Sequence, residues 1–258
     1  MPRAIERLLG VLPGIALIAA LIALLEVAAQ SGWVNKIFVP PPSAIALQVW
    51  AIATSGAMAQ PLIETVTVLF AGYGIGCVAA IATGILMGYY RPVFLLLEPL
   101  AEMLRPIPKT ALVPLLMLLL GLGAGMKITS VALSTFFPVL INTLQGVRAV
   151  DPVMSDMART FGHKGAPLLW RIFLPAAAPY ILTGMRISLA IALIVVVIAE
   201  MLSSSGGLGA LILDMQRTFL VTKSYAWLVI VAVLGFGLNA LFVWAERRAT
   251  FWSAPSAG

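Results

Sequence analysis

The sequence predicts an all-α membrane protein, a polytopic helical bundle of about six transmembrane helices. Two observations carry that prediction. Of 258 residues, 61% are apolar and only 10% charged, whereas soluble domains run nearer a quarter charged. Mean hydropathy is +1.05, and apolar runs recur that are long enough, at about 1.5 Å per residue, to cross roughly 30 Å of hydrocarbon. The net charge of +6 does not point to nucleic acid. The basic residues lie between apolar runs, where they suit cytoplasmic loops facing anionic headgroups.

The expected spans are 8–28, 62–89, 93–122, 127–147, 176–200 and 225–245. The first follows Arg3 and Arg7. Its apolar run from Leu8 to Leu25 exceeds the usual core of a signal peptide, so residues 1–30 are read as a retained N-terminal helix, although Ala28–Ala29 is small enough to be cut. Residues 31–61 form an external segment. Within it VPPPS, 39–43, is a stiff turn, because three prolines fix φ and remove donors. Ala44 to Ala53 alternates apolar and polar residues enough to lie flat as a short interfacial helix.

The core, 62–250, holds the other five spans, and 251–258 is a C-terminal tail. The second span carries Gly72, Gly76, Gly84 and Gly88, two small-xxx-small pairs that let helix backbones approach closely. Its GYGIG is not a nucleotide loop, since no strand precedes it. The third span is interrupted by RPIPK, 105–109, whose prolines break the helical ladder twice. Glu98, Glu102, Arg105 and Lys109, spaced 4, 3 and 4, share one face up to that break. Ser134, Thr135 and Asn142 on the fourth span either bond between helices or line a route. Arg186 lies deep in the fifth span, where a charge faces water, a partner or the interface. Glu200 lies near that span's outer end. SSSGGLGALILDMQRTF then supplies a flexible turn and a short amphipathic segment with Asp214 and Arg217.

Orientation follows from the basic residues. With the N-terminus inside, Arg3, Arg7, Arg91, Arg148, Arg159, Lys164, Arg171, Arg247 and Arg248 fall inside; Lys36, Lys127, Arg217 and Lys223 fall outside. Nine against four places both termini in the cytoplasm.

Catalytic chemistry is not expected. There is no GxxxxGK[ST] and no HExxH. The only histidine, His163, sits in a basic loop, and no serine has a second histidine to pair with. Glu26 and Glu64 fall at span ends within reach of water. The single cysteine, Cys77, permits no intrachain disulfide. The chain is read as having no catalytic residues, no metal site and no cofactor of its own.

The most specific signal is DMARTFGHKGAPLLWRIFLP, 156–175. Asp156-Met157-Ala158, three residues, Gly162, nine residues, then Ile172-x-Leu174-Pro175 resembles the EAA loop of binding-protein-dependent ABC permeases. Asp replaces the usual Glu and Met the first Ala. PIPKTALVPLLMLLLGLGAGMKI, FFPVLINTLQGVRAVDP, LPAAAPYILTGMRISLA and AEMLSSSGGLGALI resemble the nitrate/sulfonate/taurine (bicarbonate) branch. With VPPPS, the likeness covers roughly 38–250.

The resemblance implies a type I ABC importer permease in the inner membrane, with a cytoplasmic coupling helix inside an EAA loop at 151–175. Asp156, Met157, Ala158, Arg159, Thr160, Phe161, Gly162 and His163 would dock an ATP-binding cassette ATPase dimer, which alone would hold ATP and magnesium. Asp156 is expected near the N-terminal end of this helix, where its charge suits the dipole. Ala158 would allow close approach to the partner, Gly162 would end the helix, and Pro167 and Pro175 would start the next two. RPIPK is either a self-neutralising stripe, a hinge or an ATPase-facing contact. One EAA loop without duplication implies a homodimer, served by a periplasmic binding protein carrying a small, often anionic solute. Ser134, Thr135, Asn142, Arg186 and Glu200 are the candidate pathway or gate residues, with Glu200 at the branch's recurrent Ala-Glu position. An ATP-independent channel or secondary carrier is the alternative, disfavoured by the lack of inverted repeats and mid-span carboxylate pairs. A non-transporting scaffold is the third reading.

Overall fold

The computed structural model describes residues 2–162 and 165–250, the side chains of 2–12, Arg159 and Ala166 excepted. Every regular element among the described residues is helical. In order these are α1 (Pro2–Gln30), α2 (Pro42–Thr54), α3 (Ala59–Tyr89), α4 (Arg91–Leu104), a 3-10 turn (Lys109–Leu112) leading into α5 (Val113–Leu120), and α6 (Ala124–Arg148). They continue with α7 (Pro152–Thr160), α8 (Ala166–Leu168), a π turn (Leu169–Phe173) leading into α9 (Leu174–Ser203), α10 (Leu208–Arg217) and α11 (Val221–Ala249). Five helical stretches are long and apolar enough to cross a bilayer: Pro13–Gln30, Ala59–Tyr89, Ala124–Arg148, Leu169–Ser203 and Val221–Ala249. Arg91–Leu104 and Lys109–Leu120 together make a sixth, bent by 83° at the RPIPK interruption.

The bend has a local cause. In a continuous helix the Leu104 carbonyl would accept from residue 108, but Pro108 has no N–H. The Lys109 ammonium takes over that role, donating to Leu104 O at 2.6 Å and Ile107 O at 2.9 Å. The Arg105 guanidinium stays with Glu102 at 3.7 Å, both side chains exposed. The expected charged face therefore ends at Arg105, and Lys109 belongs to the break instead.

The chain divides into two compact units. One comprises the residues up to Ala59 together with Leu211–Val231. Here Glu26 of α1 caps α2: Ser43 donates its backbone N–H at 2.9 Å and its hydroxyl at 2.7 Å to the Glu26 carboxylate. Pro41 and Pro42 supply the extended entry and the first helical residue, neither of which has an N–H to satisfy. Glu26 is thus a helix cap, which its position at a span end did not reveal.

The other unit, Gln60–Ala210 with the residues from Ala232 onward, is organised around α6. The α3 glycines meet it directly. A Cβ at Gly76 would lie 2.6 Å from Ala132 O and 2.8 Å from Thr135 Cβ, and one at Gly84 2.7 Å from Thr143 Cβ. On α6's other flank, a Cβ at Gly184 of α9 would lie 2.7 Å from Asn142 Cβ. Without a hydrophobic drive between helices in lipid, such close approach supplies the dispersion contact that holds them. Two buried serine hydroxyls are satisfied within their own helix: Ser130 donates to Met126 O at 2.9 Å and Ser134 to Val131 O at 2.8 Å. Gly76→Leu is expected to destabilise the detergent-solubilised protein by about 1–3 kcal/mol through overpacking. Gly74→Leu, with no atom within 4 Å of its Cβ, is the control. Thermal melting monitored by size-exclusion recovery checks the pair; equal melting would refute a tight α3–α6 seam.

Candidate functional site

Three assemblies of polar residues stand out, all within the unit built on α6. The first is the loop after that helix. Asp151 Oδ1 accepts the Val153 N–H at 2.8 Å, and Pro152 opens α7, so an Asp-Pro pair starts this helix. Asp156 is consequently the fifth residue of α7 rather than near its N-terminal end. The signal was in the sequence, as Asp151-Pro152, one helical turn upstream of where it was sought. The Phe161 N–H closes the last turn on Met157 O at 3.1 Å, and Gly162 leaves it at φ +85°.

Ala158 is turned inward and buried, as is Ser155. The outward apolar side chains of α7 are Val153, Met154 and Met157, with Phe161 just beyond them 77% exposed. With Asp151, Ala158 and Ile172 they border a cleft of about 480 Å³. This nine-residue helix thus leaves several large apolar side chains uncovered. Arg159 lies on α7, and His163 lies outside the described residues. Past the loop, Pro167 and Pro175 each sit second in their helices, α8 and α9. Between them the Leu174 N–H reaches back to Leu169 O, and backbone dihedrals stay helical at Leu168, Phe173 and Leu174. Ile172 and Leu174 therefore lie in a continuous helical run that joins the loop to the long apolar helix α9.

The second assembly is a buried knot at the far end of α9. Glu200 is fully buried. Its Oε2 accepts from the Thr65 hydroxyl at 3.0 Å and from the Gly209 N–H at 2.9 Å. Thr65 Oγ1 in turn accepts the Leu208 N–H at 2.9 Å, and Glu64 Oε2 accepts the Gly207 N–H at 2.8 Å. Three successive amides at the start of α10 thus point into groups from α3 and α9, the arrangement by which helix N-termini hold anions. Lys127 donates to Ser205 O at 2.7 Å and Gly206 O at 3.2 Å, tying the same turn from α6. Gly206 and Gly207 have φ of +79° and +91°, and a Cβ on Gly207 would run into the Glu200 carboxylate. Sequence reasoning found Glu200 but not Glu64, Thr65 and Lys127. The Glu64-Thr65 pair is engaged by this turn rather than simply solvated.

The third is a cleft of about 330 Å³ beside the 105–109 break, bordered by Arg105, Lys109, Ser134, Phe137, Pro138 and Asn142 among others. The structure brings Ser134 and Asn142 together with two cations of the 105–109 stretch, which the sequence left as a self-neutralising stripe, a hinge or an ATPase-facing contact. Thr135 is buried at the glycine seam instead, and among the described residues its hydroxyl has no hydrogen-bond partner. Arg186 pairs with Glu246 of α11 at 3.4 Å, away from this cleft. Among the described residues no three His, Cys, Asp or Glu side chains group as metal ligands.

Comparison with known proteins gives a family match. The family described as "Binding-protein-dependent transport system inner membrane component" matches residues 72–251. The chain is 34% identical over 243 residues to the putative aliphatic sulfonates transport permease protein SsuC of Bacillus subtilis (strain 168), covering 94% of this chain and 88% of that protein. It is 31% identical over 228 residues to the taurine transport system permease protein TauC of Escherichia coli (strain K12), covering 85% and 82%. Among solved structures, the inward-facing MetNI methionine ABC transporter superposes with a TM-score of 0.65 at 16% identity, over 74% of this chain and 94% of that one.

Proposed function

We propose, from the premise that this chain belongs to the family of binding-protein-dependent transport system inner membrane components, that it passes a small oxyanionic solute across the inner membrane. The chain is the permease subunit of an ABC importer, a multi-pass membrane protein. Its cargo class is read from its relatives. Proteins named for aliphatic sulfonates, taurine and bicarbonate align over most of its length, and all three solutes carry a negatively charged oxyanion group. The likeness to the aliphatic sulfonate permease over 94% of the chain is the observation that carries this reading.

In this reading a periplasmic binding protein delivers the solute and a separate ATPase dimer supplies the work. Two copies of the permease form the route, and both termini face the cytoplasm. The exposed Met154, Met157 and Phe161 of the EAA loop dock on the ATPase, and movement passes through the helical run from α8 to α9. The Glu200 knot holds the turn at the outer end of α9. The core is 62–250, preceded by an N-terminal helix, 1–30, and an external segment, 31–61. ATP binding shifts the permease between inward- and outward-open states only as far as the ATPase contacts differ between them.

The test is reconstitution. Proteoliposomes holding this chain, its ATPase and the cognate binding protein are expected to accumulate ethanesulfonate or taurine only when all three components and ATP are present. The purified chain alone is expected to show no ATPase activity. Accumulation by the chain without ATPase would favour an ATP-independent carrier and overturn the reading.

A further inference from the structure

The geometry points to an oxyanion subsite on this chain itself, in the cleft between the 105–109 break and α6. This rests on the proposed cargo class and goes beyond it, because it assigns the residues that hold the charged group. The cleft runs along α6 from Ser134 to Asn142, about 12 Å at the helical rise. That stretch lies in the middle of Ala124–Arg148, one of the spans. Two cations therefore stand beside the central part of a membrane helix. Charges at such depth are costly, face protein or water-filled cavities, and mark ion or substrate routes.

Among the described residues neither charge is held in a buried ion pair. Among the described residues Lys109 has no carboxylate partner. Its ammonium donates to Leu104 O and Ile107 O and lies 4.2 Å from the centre of the Phe137 ring. Those contacts fix its position while leaving its full charge and a third N–H. Among the described residues Arg105 pairs with Glu102 alone, at 3.7 Å and with both side chains more than half exposed, a pairing that an incoming anion readily replaces. Its planar fork matches two oxygens of a sulfonate, nitrate or bicarbonate. Asn142 spends one amide hydrogen on Pro138 O at 2.8 Å and has a second to give. Ser134 contributes no donor, since its hydroxyl serves Val131 O. The walls from Phe137 and Pro138 are apolar, so the site suits a small solute with one charged end and an uncharged remainder. About 330 Å³ accommodates a molecule of a few heavy atoms.

Lys109 thus serves two ends: it mends the helix break that creates the cleft, and it charges that cleft. Pro108 accounts for the first, by removing the donor that would otherwise have occupied the Leu104 carbonyl.

The experiment uses the purified permease–ATPase complex, with sodium ethanesulfonate, sodium nitrate and neutral dimethyl sulfone titrated at constant ionic strength. Binding is read by thermal shift. Both anions are expected to bind and dimethyl sulfone is not. Lys109→Gln and Arg105→Gln are each expected to weaken ethanesulfonate about tenfold, the scale of one lost charge-assisted hydrogen bond, while Lys109→Arg stays within about threefold of wild type. In a second measurement that does not depend on these variants folding, the Asn142→Cys variant is alkylated with N-ethylmaleimide, the only natural cysteine, Cys77, being buried. Ethanesulfonate is expected to slow that reaction severalfold. Equal anion affinity in both glutamine variants, or no protection of the thiol introduced by Asn142→Cys, overturns the subsite. Should the wild-type complex bind neither anion while the cognate binding protein binds a sulfonate, the subsite fails and the cargo class stands. Should the binding protein accept only uncharged solutes while the complex binds ethanesulfonate through Lys109, the subsite stands and the cargo class fails.

Discussion

Replacing Gly162 with proline is expected to abolish ATP-driven uptake by the reconstituted complex, leaving no signal above that of protein-free vesicles. Gly162 leaves α7 at φ +85°, whereas proline is confined near −65°. The substitution cannot be absorbed by a side-chain shift, since among the described residues, chain neighbours aside, no atom lies within 4 Å of a Cβ at this position; the constraint is of the backbone. The chain must leave the helix in another direction, which moves the exposed Met157 and Phe161 face relative to the helical run that begins at α8. Gly162→Ala is the graded control. A left-handed conformation costs a residue with a Cβ about 1–2 kcal/mol, so the alanine variant should retain measurable uptake and the proline variant none. The binding protein is a separate polypeptide, and its affinity for cargo should not change. Wild-type uptake by the proline variant would show that the exit from α7 transmits nothing.

The second large effect is expected at Glu200. Alanine there removes the acceptor for the Thr65 hydroxyl and the Gly209 N–H. Leaving each buried donor unpaired costs about 1–3 kcal/mol, so the loss should reach about 2–6 kcal/mol. It should be local before it is global. Gly207, Leu208 and Gly209 give their amides to Glu64, Thr65 and Glu200, and these amides should exchange with deuterium faster in Glu200→Ala than in wild type. The amides of α6 near Gly146, remote along the chain, should not. Glu200→Gln keeps one acceptor oxygen and most of the volume and is expected to lose less. Protection at 207–209 identical to wild type would mean that the carboxylate does not hold the turn.

Much of this molecule was legible without coordinates. Membrane crossing is a property of short windows, so composition and run length gave six spans, each overlapping one of the long apolar helices or the bent pair. The bend in the third span followed from Pro106 and Pro108, two prolines in three residues that remove successive backbone donors, whereas the single prolines Pro13, Pro99, Pro138 and Pro179 lie inside continuous helices. The glycines of α3 announced a close helix contact by their spacing. Asp151-Pro152 was equally local, and the start of α7 was misplaced only because the motif that drew attention begins at Asp156.

Other features were written in partners far apart along the chain. Thr65 and Glu200 are separated by 135 residues and Lys127 and Ser205 by 78. Neither spacing nor residue type says that these groups meet. Arg186 was recognisable as a charge at depth, yet only the packing of α9 on α11 chose Glu246, 60 residues later, to face it. Ala158 looked like a contact residue by its size, and the rotation of α7 turned it inward.

By itself the sequence determined that this chain is a helical membrane permease, about how many times it crosses, where it bends and which loop carries the family's most specific motif. Crossing and bending depend on hydrophobicity and backbone donors over fewer than about thirty residues, whereas the permease reading and its loop rest on the resemblance of quoted motifs to that family. Only the tertiary structure decided which charges are answered and which are left facing a cleft. In a medium without water a polar group must find its partner within the protein, and where that partner lies is set by how the helices pack.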